Sequence, residues 1–331
     1  MQQAVILITG ANGFIGHHIV QEAIRQNMVV YAGVRAGSNT QLLDGLSCQI
    51  IPLKYNDVAS MSATLQQIQP DYIIHNAGLT RTPDYNQYLE VNKQYLVNLV
   101  EAIRQSHISL KKLLFVSSLA AFGPADFQKS GIITHDATHH PVTDYGRSKL
   151  AAEEWLWKQQ DLPFNVIRPT AVYGPGEKDL LNVFKMIKKG INVVAGFGNQ
   201  QLTFIYVDDL VKLMIKATTT SHMHRAYFGA DGQLYDGRAF PEAIATAMNK
   251  KYITIRLPIF IIKMAASMSE LAGKILGYFP TLYRQRVNEI SARNWNCDTS
   301  NLETDLGFKP AFTLQAGVHE TVRWYEEHQW I

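Results

Sequence analysis

Cysteine is scarce in this sequence. Its 331 residues include only Cys48 and Cys297, which are too few for the disulfide framework of a small secreted domain. We therefore expect a reduced protein that works in the cytoplasm. An excess of one charge is also missing, since 31 Lys and Arg residues face 28 Asp and Glu residues, a net charge of +3. With no run rich in Lys or Arg, we expect no nucleic-acid partner.

Long uninterrupted hydrophobic runs are also absent. The first residues carry neither the basic segment nor the small-residue cleavage site of a signal peptide. The most apolar later stretch, residues 257–279, is interrupted by Lys263, Glu270 and Lys274, so we expect no membrane span. Its apolar residues recur at helical spacing. Two interpretations remain open: a buried amphipathic helix of a small domain, which we favour, and a helix facing a membrane surface or a lipid.

Short apolar runs alternate with helical patterns through the first half of the chain. The runs cover residues 4–8, 29–34, 48–53, 71–75, 113–117 and 165–168. Continuous apolar strands separated by helices are typical of a parallel sheet covered on both faces. The pattern predicts an α/β protein with a doubly wound parallel sheet of the Rossmann type, in which ligands bind at the carboxyl ends of the strands.

The second half of the chain is less regular and is interrupted by proline and glycine. We predict a dinucleotide-binding domain of residues 1–169, completed by about 203–230, with residues 203–218 returning to the main sheet and one of its helices. Residues 170–202 and about 231–331 then form a smaller C-terminal α/β substrate lobe, with a late helix at 314–327.

A glycine-rich turn follows the first strand and opens the first helix. Glycines allow a tight turn and a close approach to a pyrophosphate, while a helix N-terminus offers free N–H groups and a partial positive charge. The predicted cradle for a dinucleotide consists of Thr9, Gly10, Asn12, Gly13, Phe14, Ile15 and Gly16.

The end of the second strand bears on the choice of cofactor. NAD-selective folds place a carboxylate there for the ribose 2′-hydroxyl, whereas this chain has Arg35, which can pair with a 2′-phosphate. We therefore predict NADP, with NAD still possible; a solvated surface arginine is the alternative interpretation of Arg35.

Residues after the third and fourth strands complete the expected cofactor site. Asp57 and Val58 follow the third strand, where a carboxylate can reach the adenine amino group. Asp57 can also cap a helix, and both roles can hold together. After the fourth strand, Asn76, Ala77 and Gly78 are small enough for a cofactor to lie across the strand end.

A second motif points to proton transfer. Tyr145 and Lys149 are four residues apart at the start of a helical pattern, so they share a helix face. A phenol titrates near 10, and a nearby ammonium favours the phenolate and should lower that pKa. The tyrosine can then exchange a proton with a substrate hydroxyl or carbonyl. Ser117 and Ser118 end the fifth strand at the same edge, where a hydroxyl can hydrogen-bond the reacting oxygen.

The order TGANGFIG, HNAG, FVSS and YGRSK resembles the short-chain dehydrogenase/reductase superfamily. The segments VIRPTAVYGPG (166–176) and FIYVDDL (204–210) are similar to its extended, epimerase/dehydratase branch. This resemblance implies a Rossmann domain, a smaller C-terminal substrate domain and a catalytic triad of Ser118, Tyr145 and Lys149. Ser118 is favoured over Ser117 because the family's serine stands five positions before the glycine of a pair such as Phe122-Gly123.

The resemblance implies further roles. Lys149 would also hold the nicotinamide ribose, Asn92 would support the triad, and Ser117, Pro169 and Val172 would belong to the cofactor site. Relatives often form homodimers through two helices, here residues 85–106 and 145–160, so we expect a homodimer.

Departures from the family pattern reduce the number of candidate reactions. The 4,6-dehydratases carry an Asp-Glu pair after the catalytic serine or threonine, where this chain has Leu119-Ala120, so dehydration is disfavoured. In the family pattern, sugar-nucleotide enzymes usually carry an Arg-Asp pair whose arginine binds the diphosphate. The corresponding segment of this chain, residues 198–203, contains neither an arginine nor an aspartate. Possible replacements, each more easily interpreted as a surface residue, are Arg284, Arg286 and Arg293.

Residues 282–287 look more like the 3β-hydroxysteroid dehydrogenase and dihydroflavonol-reductase subgroup. We therefore favour an NADP-dependent oxidoreductase that interconverts a secondary alcohol and a ketone on an apolar or small substrate. A nucleotide-sugar epimerase is the alternative, and a non-catalytic cofactor-binding protein is the third interpretation.

The histidines at 135, 139 and 140 lack the cysteine or acidic partners of a metal site, so we expect no metal.

Overall fold

The computed structural model describes residues 3–125 and 131–331. Its strands are β1 (Val5–Thr9), β2 (Val29–Val34), β3 (Cys48–Pro52), β4 (Tyr72–His75), β5 (Lys112–Val116), β6 (Phe164–Pro169), β7 (Ala171–Tyr173), β8 (Ile191–Ala195), β9 (Gln201–Leu202), β10 (Phe204–Tyr206), β11 (Arg225–Gly229), β12 (Tyr235–Asp236) and β13 (Ile253–Leu257). Its helices are α1 (Phe14–Arg25), α2 (Val58–Ile68), α3 (Tyr85–Leu89), α4 (Tyr95–Ser106), α5 (Asp144–Leu156), α6 (Leu181–Lys188), α7 (Val207–Thr219), α8 (Ala239–Ala247), α9 (Ile259–Leu276), α10 (Arg284–Ser291), α11 (Ser300–Leu306) and α12 (Leu314–Glu327).

Seven parallel strands form the main sheet in the order β11-β6-β5-β4-β1-β2-β3. This confirms the predicted Rossmann-type sheet. The apolar run of β1 is buried on both of its faces, since Ile6, Leu7 and Ile8 are inaccessible to solvent. Because the strands are parallel, their carboxyl ends meet at one edge, where Thr9 pairs in register with His75.

Helices cover both faces of the sheet. Helices α1 and α7 share one hydrophobic cluster with the strands, around residues such as Ile19 and Leu210. Helices α2, α4 and α5 share the other cluster, around Leu65, Leu99 and Ala152. Burial of a leucine or isoleucine side chain in these clusters contributes about 1.5–3 kcal/mol to folding. The two layers therefore hold the strand ends in fixed positions.

The segment expected to return to the main sheet does so only in part. Helix α7 packs on the sheet as expected, but β10 pairs with β7 in a separate two-stranded sheet. The strand that joins the main sheet is β11, beside β6. Strand β10 is only three residues long, and its apolar sequence indicates that it is buried without indicating which strand it pairs with. Tyr173, Phe184 and Tyr325 lie at the centre of a separate hydrophobic cluster of the C-terminal half.

Helix α9 departs from the favoured interpretation of residues 257–279. The helix is present, but only Ile262, Ala266 and Gly273 are buried along its length. Its buried side packs on α10 and the ends of β8 and β13, and its opposite side is open to solvent. The expected burial is therefore wrong, because helical spacing reveals an apolar face without revealing what covers it. Among the described residues, no helix is long and apolar enough to cross a membrane.

A buried ion pair fixes α5 against the ends of β5 and β6. Arg168, on β6, lies 2.6 Å from Glu153 on α5, and both side chains are almost fully buried. Ser117 donates a hydrogen bond to the same carboxylate. The Arg168 guanidinium lies 4.5 Å from the ring centre of Phe122 and 5.5 Å from that of Phe228, at cation–π distances. The pair therefore links α5 to two central strands.

We expect Glu153→Gln to lower the free energy of unfolding by about 3 kcal/mol or more, because it leaves the Arg168 charge buried without a counter-charge. Glu154→Gln is the matched control, since Glu154 is the next residue and is exposed; its effect should stay within about 0.5 kcal/mol. Urea denaturation of both variants measures the difference. Equal losses would show that the ion pair does not stabilise the fold in this way.

Candidate active site

The turn after β1 owes its shape to two glycines. Gly10 has a φ of +64°, and a Cβ atom there would lie 2.8 Å from Ala77 Cα. A Cβ on Gly16 would lie 2.1 Å from the Gly10 carbonyl oxygen. At Gly13, by contrast, the nearest atom would be 3.4 Å away, an ordinary contact. The backbone is therefore tightly packed on one side and open at Gly13 on the other.

The N-terminus of α1 is available to an anion. Its N-cap, Gly13, offers no side-chain acceptor, and the first turn carries no acidic residue. Helices α2 and α5 differ, since Asp57 and Thr143 cap them. Uncapped N–H groups and the helix dipole favour a phosphate. The open backbone at Gly13 thus fits a dinucleotide pyrophosphate, with Phe14 and Ile15 supplying the first N–H groups of the helix.

Polar side chains form hydrogen bonds that stabilise the glycine turn after β1. Thr9 is fully buried; its Oγ1 lies 2.9 Å from His75 Nδ1 and accepts a hydrogen bond from the Ala77 N–H at 3.1 Å. Asn76 donates to the Gly10 carbonyl at 3.3 Å. In this structure Thr9 and Asn76 therefore hold the ends of β1 and β4 together and set the conformation of the turn.

The residues expected at the adenosine end lie along the edge formed by β1, β2 and β3. Arg35 follows β2, is exposed, and makes no ion pair among the described residues. Asn12 donates to the Asn39 carbonyl at 3.0 Å. Asp57 is exposed and accepts a hydrogen bond from the Ser60 N–H at 2.9 Å, the capping role that was the alternative. Val58 begins the capped helix.

Lys149, Asn92 and Gly78 meet at the end of the sheet. The Lys149 ammonium is buried and donates to the Val116 carbonyl at 2.8 Å. A Cβ on Gly78 would lie 3.2 Å from both Lys149 Nζ and Asn92 Oδ1. Asn92 lies in a π-helical turn between α3 and α4, and its amide bonds Leu79 through both backbone groups. Burial lowers the pKa of Lys149 to about 8.

Tyr145 lies one turn before Lys149 on α5 and is partly exposed. Burial by its neighbours raises the pKa of Tyr145 to about 12, although a hydrogen bond with the Ser118 hydroxyl opposes the rise. The expectation that Lys149 lowers this pKa is wrong for the protein chain alone. The groups that oppose the rise are Ser118 and Arg286, and desolvation of the phenolate outweighs them. The phenol is therefore protonated at neutral pH.

The two serines after β5 differ in orientation. Ser117 is buried, and its hydroxyl bonds the Glu153 carboxylate. Ser118 caps the short helical turn that follows and also contacts Tyr145. The structure thus brings Ser118 to the tyrosine and Ser117 to the ion pair. Pro169 is buried at the end of β6, and Val172 is partly buried on β7.

Sequence reasoning assigned no role to several residues at the mouth of this site. Gln285, on α10, accepts a hydrogen bond from the Asp144 N–H at 2.7 Å, directly before the tyrosine. Tyr88 lies 6.3 Å from the Tyr145 ring, between ring centres, and Tyr283 also interacts with Tyr88. The contact of Gln285 with Asp144 joins residues that are 141 positions apart in the chain. The sequence signal that could have found these residues was the similarity of residues 282–287 to the 3β-hydroxysteroid dehydrogenase and dihydroflavonol-reductase subgroup.

The three arginines weighed as phosphate ligands differ in their surroundings. Arg286 is partly buried and lies 2.9 Å from Glu289. Arg284 is exposed and donates to Ser267 at 2.8 Å. Arg293 is also exposed and lies against the backbone of Gly198. Of these three arginines, only Arg286 is close enough to Tyr145 to affect its pKa, and its positive charge opposes the rise in that pKa.

Comparison with known proteins identifies the family to which the sequence is similar. A sequence model of the NAD dependent epimerase/dehydratase family matches residues 6–227. The chain is 27% identical to UDP-glucose 4-epimerase of Vibrio cholerae, over 96% of this chain and 94% of that protein. It is 24% identical to N-acetyl-alpha-D-glucosaminyl-diphospho-ditrans,octacis-undecaprenol 4-epimerase of Escherichia coli O157:H7, over 98% and 96%. It is 25% identical to 3 beta-hydroxysteroid dehydrogenase/Delta 5-->4-isomerase of Vaccinia virus (strain Ankara), over 98% and 100%.

Solved structures show the same fold. UDP-glucose 4-epimerase from Thermotoga maritima, solved with UDP-glucose, superposes with a TM-score of 0.79 at 19% identity, covering 98% of this chain and 99% of that one. MoeE5, solved with UDP-glucuronic acid and NAD, gives a TM-score of 0.76 at 21% identity, covering 98% and 100%.

The buried Lys149 makes stability depend on pH in a defined direction. Its pKa is lowered from 10.5 in the unfolded chain to about 8 on folding, so between these values the unfolded chain binds more protons. The free energy of unfolding of the native protein should therefore rise with pH over this window, relative to Lys149→Met. Parallel denaturation curves from pH 7 to above pH 10 measure the difference, which should change by roughly 1–3 kcal/mol. A constant difference would contradict the lowered pKa.

Proposed function

The chain belongs to the NAD dependent epimerase/dehydratase family, and we propose that it interconverts a secondary alcohol and a ketone with NADP as cofactor. The observation that carries this proposal is the meeting of Ser118 with Tyr145, one helical turn from the buried Lys149, at the strand edge that also holds the glycine turn. When bound, the nicotinamide cofactor supplies or accepts the hydride, and the protein supplies the proton.

In this proposal Tyr145 is the proton donor to the carbonyl oxygen of the ketone. Its raised pKa keeps the phenol protonated over the physiological range, so reduction starts from the protonation state that it needs. The Ser118 hydroxyl orients the same oxygen. Lys149 places a positive charge beside Gly78, where the cofactor ribose would lie.

The charges at the mouth favour a substrate without a diphosphate. Arg286 is already paired with Glu289, and Glu177 and Asp179 also interact with it. Asp179 is also 3.8 Å from Arg81, so three carboxylates offset two arginines here, which disfavours a dianion. The buried rings of Tyr88 and Tyr283 pack on this side of Tyr145. Leu119 and Ala120 are both buried and carry no acid or base for dehydration.

A nucleotide-sugar epimerase is the second candidate, and it is favoured by the relatives from Vibrio cholerae and Escherichia coli O157:H7. It would use the same tyrosine to remove a proton from a sugar hydroxyl and then to return it. A screen separates the two reactions. Net consumption of NADPH with ketones supports the reductase, whereas conversion of UDP- or GDP-sugars without net cofactor consumption supports the epimerase and overturns our first choice.

We propose further that the protein works in the cytoplasm as a homodimer. Both cysteines are free thiols, which suits a reducing compartment. Helices α4 and α5 lie on the same face of the sheet, and Val97 and Leu150 remain partly exposed on them. These two helices would form the dimer contact, and light scattering measures the mass.

Tyr145→Phe tests the assigned chemistry. The variant keeps the ring but loses the proton, so turnover should fall by about a hundredfold or more, while cofactor affinity, measured by fluorescence titration, stays nearly unchanged. Tyr85→Phe is the matched control, because Tyr85 lies on α3 and is exposed. Turnover in Tyr145→Phe within a few-fold of the native value would remove the phenol from the mechanism.

Arg35→Ala tests the cofactor preference. If the guanidinium pairs with the 2′-phosphate, its loss should raise the KM for NADP about tenfold or more and leave the KM for NAD almost unchanged. Arg256→Ala, an exposed arginine on β13, serves as the control. A native enzyme that prefers NAD would contradict the proposal, whatever the variants do.

A further inference from the structure

Helix α9 carries a line of exposed apolar side chains that the proposed reaction does not use. Phe260, Met264, Met268, Leu271 and Ile275 are 70%, 58%, 66%, 61% and 75% exposed. They are spaced four, four, three and four residues apart, which places them within about 80° of arc around the helix. We call these five residues the outer stripe.

The outer stripe lies on the side of α9 that faces away from the protein. On the opposite side, Ile262 and Ala266 pack with Val287 of α10 in a small hydrophobic cluster. The helix is thus anchored by one face while the more apolar face stays in solvent. Single exposed apolar residues are ordinary, but a continuous patch of this kind marks an interaction surface.

Further apolar side chains extend this surface at both ends of the helix. Leu276 and Tyr278, at the C-terminal end, are 70% and 53% exposed. At the other end, Phe197 is 68% exposed and follows Gly196, where a Cβ atom would lie 3.3 Å from Ile259.

Positive charges border one side of the outer stripe. Lys263 and Lys274 are exposed and lie on the same flank, about 40–60° from Phe260 around the helix. Arg284, from α10, reaches this flank and donates to Ser267 at 2.8 Å. The acid on the flank is Glu270, 3.7 Å from Arg284.

An open hollow lies between this charged flank and the outer stripe. It has a volume of about 450 Å³ and is lined by Lys263, Met264, Ser267, Arg284 and Asn288. Two cations, a hydroxyl and an amide therefore surround a space beside an apolar residue. These groups suit a phosphate whose attached chain is apolar.

We propose that α9 binds the surface of a bilayer that contains anionic phospholipids. The outer stripe enters the boundary between headgroups and acyl chains, while Lys263, Lys274 and Arg284 lie at the level of the phosphates. Charge complementarity selects this occupant. A second copy of α9 packed antiparallel would bring the same cations together, whereas an anionic bilayer meets them with opposite charge. This proposal is independent of the reaction at Tyr145.

Vesicle flotation with the full-length chain tests this proposal. The protein should float with vesicles of phosphatidylcholine and phosphatidylglycerol in equal parts, and much less with phosphatidylcholine alone. Each lysine near such a surface contributes about 1 kcal/mol, so Lys263→Gln combined with Lys274→Gln should weaken partitioning about 25-fold. Added salt should weaken the binding of the native protein in the same direction.

Met268→Ser tests the apolar part of the contact. It should weaken partitioning about tenfold, because the side chain no longer leaves water. Met223→Ser is the matched control, since Met223 is 52% exposed outside α9, between α7 and β11, and it should float like the native protein. Both residues are exposed, so neither change should lower the melting temperature appreciably.

Two outcomes would overturn the proposal. One is equal flotation with both kinds of vesicle, or with neither. The other is an oligomer in solution that Met268→Ser dissociates, in a protein that does not float, since a second copy would then cover the outer stripe.

Discussion

A buried ion pair between Glu153 and Arg168 holds α5, the helix that carries Tyr145 and Lys149, against the sheet. Glu153 is the third member of a series on α5, in which Tyr145, Lys149 and Glu153 follow one another at intervals of four residues. Residues at this spacing share one helix face. The carboxylate therefore fixes the rotation of α5 about its axis, and the ammonium and the phenol face the strand ends as a consequence. Removal of Arg168 alone would leave the Glu153 carboxylate buried without a counter-charge, which is strongly destabilising.

Burying Lys149 has an energetic consequence that the surrounding structure must offset. The ammonium has the Val116 carbonyl as its acceptor, and desolvation lowers its pKa. The nearby Asn92 depends on a π-helical turn, an irregularity common at functional sites. Both features reduce stability, and both place polar atoms next to Gly78, where a Cβ atom would lie 3.2 Å from Lys149 Nζ and from Asn92 Oδ1. The two clusters that cover the sheet supply the stability that permits this arrangement.

The parts of the fold that could be predicted from sequence are those set by local patterns. The strand at 29–34 and the helix at 314–327 have the predicted bounds, because a run of apolar residues and its period are properties of a short segment. The glycine turn could be identified for the same reason.

The contact of Gln285 with Asp144 could not be predicted, since its two residues are far apart in the chain. The orientation of side chains could not be predicted either. The hydroxyls of Ser117 and Ser118 point to different partners although the two residues are adjacent in the chain. Helix α9 was expected to be buried, because spacing reports that a helix has an apolar face and not what covers it.

The lobe that carries α9 and α10 is joined to the sheet domain by contacts that break easily. Its own cluster contains only three buried residues, Ile262, Ala266 and Val287. Among its links to the rest of the chain are polar contacts, such as that of Arg81 with Thr281 at 3.2 Å and that of Gln285 with Asp144. A hydrogen bond of this kind contributes only about 0.5–1.5 kcal/mol, because water replaces the lost partner. Since Gln285 is bonded directly before Tyr145, these weak polar contacts also hold α10 next to the N-terminal turn of α5.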